Sequence, residues 1–204
     1  YPDYNYFQTG AWAIPPELHD SSWVSQVTCD YLQRRAGAGE PWFCWASFQD
    51  PHEPFVCPEP WYSAVERDRL QLYPGYREGE FDDRPEIYRR MFNRDFGSSD
   101  DGHGVPSCFG EHERTPVARE SLQATAGMVN FLDDRIGAIF RTLEATGQLQ
   151  NTLVVYTTDH GEMHGHHGLW GKGCAAYEDV QRVPLLAWAP GLFLAVGTSQ
   201  ALTS

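Results

Sequence analysis

Four histidines, two acids and a lysine crowd into "TTDHGEMHGHHGLWGKG", residues 157–173. Asp159 offers a hard carboxylate oxygen and His160 a borderline imidazole nitrogen, and both are ordinary ligands of divalent metals. On spacing alone the pair also fits a plain polar turn, because aspartate caps helices and histidine is common in loops. Lys172 is the only lysine in the chain, beside fourteen arginines. A lysine between two glycines suits a compact point charge for an anion, or a solvated loop position. His164, His166 and His167 read as a second metal site or as acid–base groups near neutral pH; the plainer expectation is that His167 shapes the loop while the other two face solvent. A second cluster, "QDPHEPF", places Asp50 and His52 where two prolines fix the backbone. A carboxylate beside an imidazole fixes its tautomer and raises its basicity, so Asp50 is a candidate to orient His52. Glu162, Tyr177 and Glu178 are weaker candidates.

These groups need elements to hold them. "NTLVVYTT" leads directly into Asp159 and reads as a buried strand, "PWFCWASF" (41–48) leads into Asp50 as another, and "VPLLAWAP" reads as a third. The spacing predicts a helix over 22–35, capped by Asp20 or Ser21, with Trp23, Val27 and Tyr31, and Val24 and Leu32 beside them, as its apolar face. A longer helix runs from Pro116 to Thr146, with Leu122, Ala126, Val129, Leu132, Ile136, Ile139 and Leu143 recurring at threes and fours. Gly161 lets the chain turn away after His160. Asp133 and Asp134 sit on the long helix as a solvated face rather than as ligands. Residues 65–115 are charged and poor in aliphatics; they form an insertion or pocket excursion with a short helix near 85–94. Strand, helix, strand and a further strand make an α/β domain with a mostly parallel sheet flanked by helices. In such sheets ligands gather beyond the carboxyl ends of strands, where two of these strands empty reactive side chains.

Composition narrows the partners. A net charge of −13 over 204 residues leaves no basic footprint for nucleic acid and little attraction to an anionic membrane. An anionic substrate would then need a local cation. No run of about 20 apolar residues is present. Five cysteines (29, 44, 57, 108 and 174) form no CxxC pair and leave the redox compartment open.

Taken together, "PWFCWASFQDPHEPF", "MVNFLDDRIGAIFRTLEATGQLQNTLVVYTTDHGEMHGHHGLWGKG" and "YEDVQRVPLLAWAPG" closely resemble the sulfatase family of the alkaline-phosphatase superfamily. The resemblance implies a partial sulfatase catalytic domain over 1–204 and a metal-dependent sulfuric ester hydrolase acting on a small-molecule sulfate ester. By the same resemblance Asp159 and His160 match the second pair of metal ligands, Lys172 the lysine on the sulfate group, and His52 a histidine beside the sulfate and leaving-group oxygen. The implied cofactor is one divalent ion, calcium first, with manganese or zinc as alternatives because His160 supplies nitrogen where many sulfatases supply oxygen. The Asp-His pair also occurs in phosphonate monoester and phosphodiester hydrolases on this scaffold, and a non-catalytic metal- or anion-binding relative is the third reading. None of the five cysteines fits the family's C/S-x-P/A-x-R formylglycine motif. The first aspartate ligands and the N-terminal anion-binding arginine and lysine have no match either. All are expected before Tyr1, and a C-terminal subdomain after Ser204, so the expectation is a chain inert by itself, with open sheet edges prone to association.

Overall fold

The computed structural model describes residues 9–71, 75–93, 108–110, 116–172, 176–190 and 197–198. Strand β1 (Thr9–Trp12) is followed by helix α1 (Asp20–Arg35), strand β2 (Phe55–Pro58), helix α2 (Glu86–Asn93) and strand β3 (Cys108–Gly110). Helix α3 (Pro116–Ala145), strands β4 (Val154–Thr157) and β5 (Leu169–Gly171), the short helix α4 (Glu178–Gln181) and strand β6 (Leu185–Trp188) complete the order. The expected helices and the strands on either side of the histidine-rich loop are thus present. No helix among the described residues is long and apolar enough to cross a membrane.

Strand direction is mixed among the described residues. β1 and β2 pair in parallel, whereas β4–β6 and β3–β5 are antiparallel. A parallel return requires a crossover long enough to carry the chain back over the sheet. Among the described residues the only helices between β4 and β6 are a single 3-10 turn (His166–Gly168) and the four-residue α4, so the chain folds back beside itself. Residues 41–48 form no ladder among the described residues. Their exposure nevertheless alternates at the strand period, with Phe43 80% and Trp45 77% exposed. Val155, Leu185, Leu186 and Trp188 on β4 and β6 are exposed as well.

α1 starts on a histidine. His19 is the cap and its Nδ1 accepts from the Ser21 amide, while Asp20, the first helical residue, accepts from the same amide through Oδ1. The buried face is not Trp23/Val27/Tyr31, since Trp23 and Val27 are exposed. It is Ser21, Ser22, Ser25, Thr28, Cys29 and Leu32. Small side chains let α1 approach α3 closely, and the Ser25 hydroxyl then donates to the Arg135 carbonyl at 2.8 Å. α3 in turn buries Ser121, Ala124, Met128, Phe131 and Leu132, so its N-terminal half is turned about one residue from the apolar stripe, leaving Val129 exposed. The cause is β2, which lies so close that a methyl on Gly127 would stand 2.7 Å from Cys57 Sγ. Asp134 pairs with Arg135 and Arg141, and Asp133 is exposed, as a solvated face requires.

A second core carries the loop chemistry. Phe81, Met91 and Phe92 from the 75–93 segment pack with Met163, Leu169 and Val180. This apolar cluster clamps both ends of the histidine-rich loop. The remainder of the 65–115 excursion (72–74, 94–107 and 111–115) and Cys174 lie outside the described residues. Cys29, Cys44 and Cys57 are free thiols.

Candidate active site

β4 delivers its chain end to Thr158, Asp159 and His160. The Asp159 carboxylate is 83% exposed, and its Oδ1 accepts from the His160 amide at 3.0 Å and the Thr158 hydroxyl at 3.2 Å. Slight burial opposes ionisation, but the Asp159 backbone amide, the His160 imidazole and these hydrogen bonds outweigh it and hold the carboxyl below its usual range. His160 Nδ1 lies 2.9 Å from the Gly161 carbonyl. A carbonyl can only accept, so the proton sits on Nδ1 and Nε2 keeps its lone pair for a metal. That Nε2 is 3.5 Å from Asp159 Oδ2. Two ligands bonded at about 2.0–2.2 Å to one tetrahedral ion stand roughly 3.4 Å apart, so the pair fits a shared divalent cation without rearrangement.

His52 and Lys172, separated by 120 positions, meet directly. Lys172 Nζ donates to His52 Nε2 and to Glu53 Oε2, both at 2.8 Å, and His52 Nδ1 lies 2.7 Å from the Glu53 carbonyl. An ammonium only donates and a carbonyl only accepts, so the two contacts together select the neutral Nδ1–H tautomer of His52. Glu53, not Asp50, is therefore the partner of His52. Burial would raise the Glu53 carboxyl, but the Lys172 hydrogen bond and charge, its own backbone amide and His52 bring it below the usual range. Asp50 points away: its Oδ2 accepts from Ser21 Oγ at 2.6 Å, 3.8 Å from His19 Nδ1. There burial raises its carboxyl against the opposing pull of Ser21 and His19. Asp50 thus ties the loop carrying His52 to the start of α1.

Among the described residues no hydrogen bond or ion pair joins Asp159 or His160 to His52 or Lys172. Glu162 lies in the field of Lys172 and Glu53. Burial pushes its carboxyl up to about 7 against the pull of Lys172, with Glu53 adding to the rise. Tyr177 stacks on His167, and Glu178 opens α4. Glu53 was missed by sequence reasoning, although its place between His52 and Pro54 in a proline-bounded turn was the available signal.

His164 is not a solvent-facing loop residue. It takes a left-handed backbone (φ 44°), its ring lies 5.2 Å from Phe55 and 6.1 Å from Trp170, and its Nδ1 is buried with no hydrogen-bond partner among the described residues. Burial pushes the imidazole down to about 4, with Lys172 adding to the fall and Glu53 opposing it. Between 6.5 and about 4 the unfolded chain binds a proton that the folded chain refuses. This contribution to stability is therefore whole above 6.5 and lost as pH falls through that window. The expected loss is on the order of 3 kcal/mol by about pH 4. Urea unfolding at about pH 7 and about pH 4.5, compared with His164→Asn, checks it: the variant should lose much of the acid-side slope, and equal slopes would remove His164 as the cause.

Comparison with known proteins adds the family. The family model described as Sulfatase matches residues 4–204. An uncharacterized sulfatase, YidJ, of Escherichia coli (strain K12) is 32% identical over 170 residues, 82% of this chain and 30% of that protein. An arylsulfatase of Clostridium perfringens (strain 13 / Type A) is 28% identical over 94% of this chain and 36% of its own length. Phosphonate monoester hydrolase SpPMH from Silicibacter pomeroyi superposes with a TM-score of 0.71 at 24% identity, covering 94% of this chain and 39% of that one. The α/β, alkaline-phosphatase-like fold is shared, and the chain spans about a third of the length of the curated relatives it matches.

Proposed function

The chain belongs to the sulfatase family, and from that premise we propose that the protein carrying it hydrolyses sulfate esters, with Lys172 and His52 on the transferring group and Asp159 and His160 on a divalent metal. The observation that carries the reading is the hydrogen-bonded Lys172–His52–Glu53 group, assembled from segments 120 positions apart. An ammonium has three donors. Two are taken by His52 and Glu53, which leaves the third for a sulfuryl oxygen. Glu53 pairs with Lys172 at 2.8 Å and aims it. In a chain of net charge −13, this lysine supplies local positive potential for an anionic ester.

His52 contributes through its tautomer. Its Nε2 accepts a hydrogen bond from Lys172, and an imidazole that takes up a proton at that nitrogen could donate it to a leaving-group oxygen as negative charge grows there. The bound metal would polarise the ester and stabilise developing charge. Asp159 and His160 hold their two donor atoms ready for it, with the exposed carboxylate already ionised. Calcium is the first choice for the ion, and the His160 nitrogen keeps manganese and zinc in contention. Members of this family generally use a formylglycine with the metal; the attacking oxygen is assigned to such a residue outside these 204, since no segment here has the required motif.

The nitrogen ligand also favours a second reading, hydrolysis of phosphonate monoesters or phosphodiesters on the same scaffold. Turnover of a nitrophenyl sulfate and of a nitrophenyl phenylphosphonate by the protein containing this chain separates the two. Faster sulfate cleavage supports the first reading, a clear excess of phosphonate cleavage the second, and cleavage of neither a metal- or anion-binding role. In the active protein Lys172→Ala should cost about 10²–10³ in kcat, the usual loss when one charge-stabilising donor is removed. An unchanged kcat in that variant would overturn the assignment of Lys172.

A further inference from the structure

The loop that leads to Lys172 builds a second donor cluster that uses none of the residues assigned above. His166, His167 and Asp179 each present one donor atom, a ring nitrogen from each imidazole and a carboxylate oxygen, and the three atoms lie within 4.8 Å of one another. We propose that this cluster is a second metal site, for a first-row transition ion of the zinc class. Two imidazoles and one carboxylate are a donor set that zinc accepts in three-ligand sites with an open fourth position.

The surroundings are built in a way that a chance meeting of loop residues would not require. His167 holds a left-handed conformation (φ 55°, ψ 19°), which a non-glycine residue keeps only when its neighbours enforce it. The enforcing contacts are on both sides of the ring. Glu80 Oε1 lies 2.7 Å from Nδ1, and the Tyr177 ring stacks on the imidazole at 4.3 Å. A histidine whose one nitrogen is fixed by a carboxylate is the usual arrangement behind a metal ligand. Glu80 is itself held, its Oε2 accepting from the Arg77 amide at 2.6 Å. Asp179 comes from α4 and faces His166, with Oδ1 at 2.7 Å from Nδ1.

Charge points the same way. With both imidazoles neutral, Asp179 and Glu80 give the cluster two negative charges, and Glu80 pairs with the solvent-exposed Arg77 at 4.0 Å. A divalent ion would offset both. The side chains of His166, His167 and Asp179 are 26%, 21% and 21% exposed, so an ion can enter while much of its shell is protein. The two imidazoles now stack at 4.2 Å. Binding would splay them and draw the donors from their present spread to the roughly 3.3 Å that ligands of a tetrahedral zinc keep.

Zinc stoichiometry of the purified protein tests this, with Asp159→Ala as the background so that the Asp159/His160 position is emptied. The expected result is one remaining equivalent of zinc, bound at micromolar concentration and lost in both His166→Asn and Asp179→Asn. Cobalt substituted there should show a visible band that the same two changes abolish. Absence of any zinc in the Asp159→Ala protein overturns the proposal. So does a remaining equivalent that survives either substitution. If Asp159→Ala instead keeps every equivalent until His166→Asn removes one, the second site stands and it is the Asp159 assignment that falls. Should one variant fail to fold, the other carries the comparison, and the Asp159→Ala measurement needs neither.

Discussion

In the proposed hydrolase Asp159→Ala should remove the metal assigned to Asp159 and His160 and lower sulfate-ester turnover on the order of 10³-fold, since a bound divalent ion supplies several kcal/mol of charge stabilisation to such a transition state. The chain should nevertheless stay folded. Asp159 is 83% exposed, and its hydrogen bonds reach only the His160 amide and the Thr158 hydroxyl beside it. Surface substitutions of this kind usually change stability by about 0.5 kcal/mol or less. Metal content by atomic emission, the rate with nitrophenyl sulfate and the thermal midpoint separate the two effects. Lost metal and rate with an unmoved midpoint is the predicted pattern. Full metal content with a full rate would remove the Asp159/His160 pair from the site. The pair is the right one to challenge, because its donor atoms already stand 3.5 Å apart without an ion to draw them together.

Gly161→Ala is expected to destabilise the fold by about 3 kcal/mol or more, at or beyond the upper end of ordinary overpacking. A Cβ at this position would stand 1.8 Å from the Asp179 carbonyl oxygen and 2.9 Å from its carbon. Both are backbone atoms of α4, so no side chain can swing aside. The same glycine donates its amide to the Val180 carbonyl at 2.8 Å, which pins the approach. For a domain near 200 residues, a 3 kcal/mol loss lowers the thermal midpoint by roughly 6–12 °C. The variant should also weaken metal binding at Asp159 and His160, because the backbone that aims them must move. A midpoint within a degree of the parent would show that loop and helix do not touch as closely as described.

This glycine marks a boundary between what could be read along the chain and what could not. "DHG" suggests a tight turn, yet Gly161 has no left-handed torsion; its lack of a side chain is needed because another segment's backbone passes against it. Contacts between segments have no local signature. Asp50 and Glu53 make the same point. Both flank His52 in a proline-bounded turn, and the adjacent-carboxylate rule applies to either. The choice fell to Glu53 because Ser21, at the start of α1, captures Asp50, and Lys172, arriving after β5, captures Glu53.

Helix faces divided similarly. Periodicity located α1 and α3 within a residue or two, since it records local hydrogen bonding and amphipathicity. It placed Leu32 correctly on the buried face of α1 but not Trp23 and Val27; serine and threonine are buried there because small side chains admit α3 closely and their hydroxyls find carbonyl partners. The α/β arrangement followed from element order, whereas which pairs run antiparallel did not. Pairing direction depends on the length and course of connections, and the stretch from β4 to β6 offers no described helix long enough for a crossover.

By itself, then, the amino-acid order determined some local facts: where α1 and α3 run, that strands lie on either side of the histidine-rich loop with Asp159 and His160 just after the first of them, and that His52 and the single lysine are candidates for the remaining chemistry. Their types and the tautomer options follow from covalent structure, which needs no partner. Tertiary structure alone decided who meets whom. It brought Lys172 to His52 across 120 positions, gave Glu53 the partner's role, buried His164 and joined His166, His167 and Asp179. The physical reason is that hydrogen bonds and ion pairs reach only about 3–4 Å, and at that range only the folded chain sets the distances.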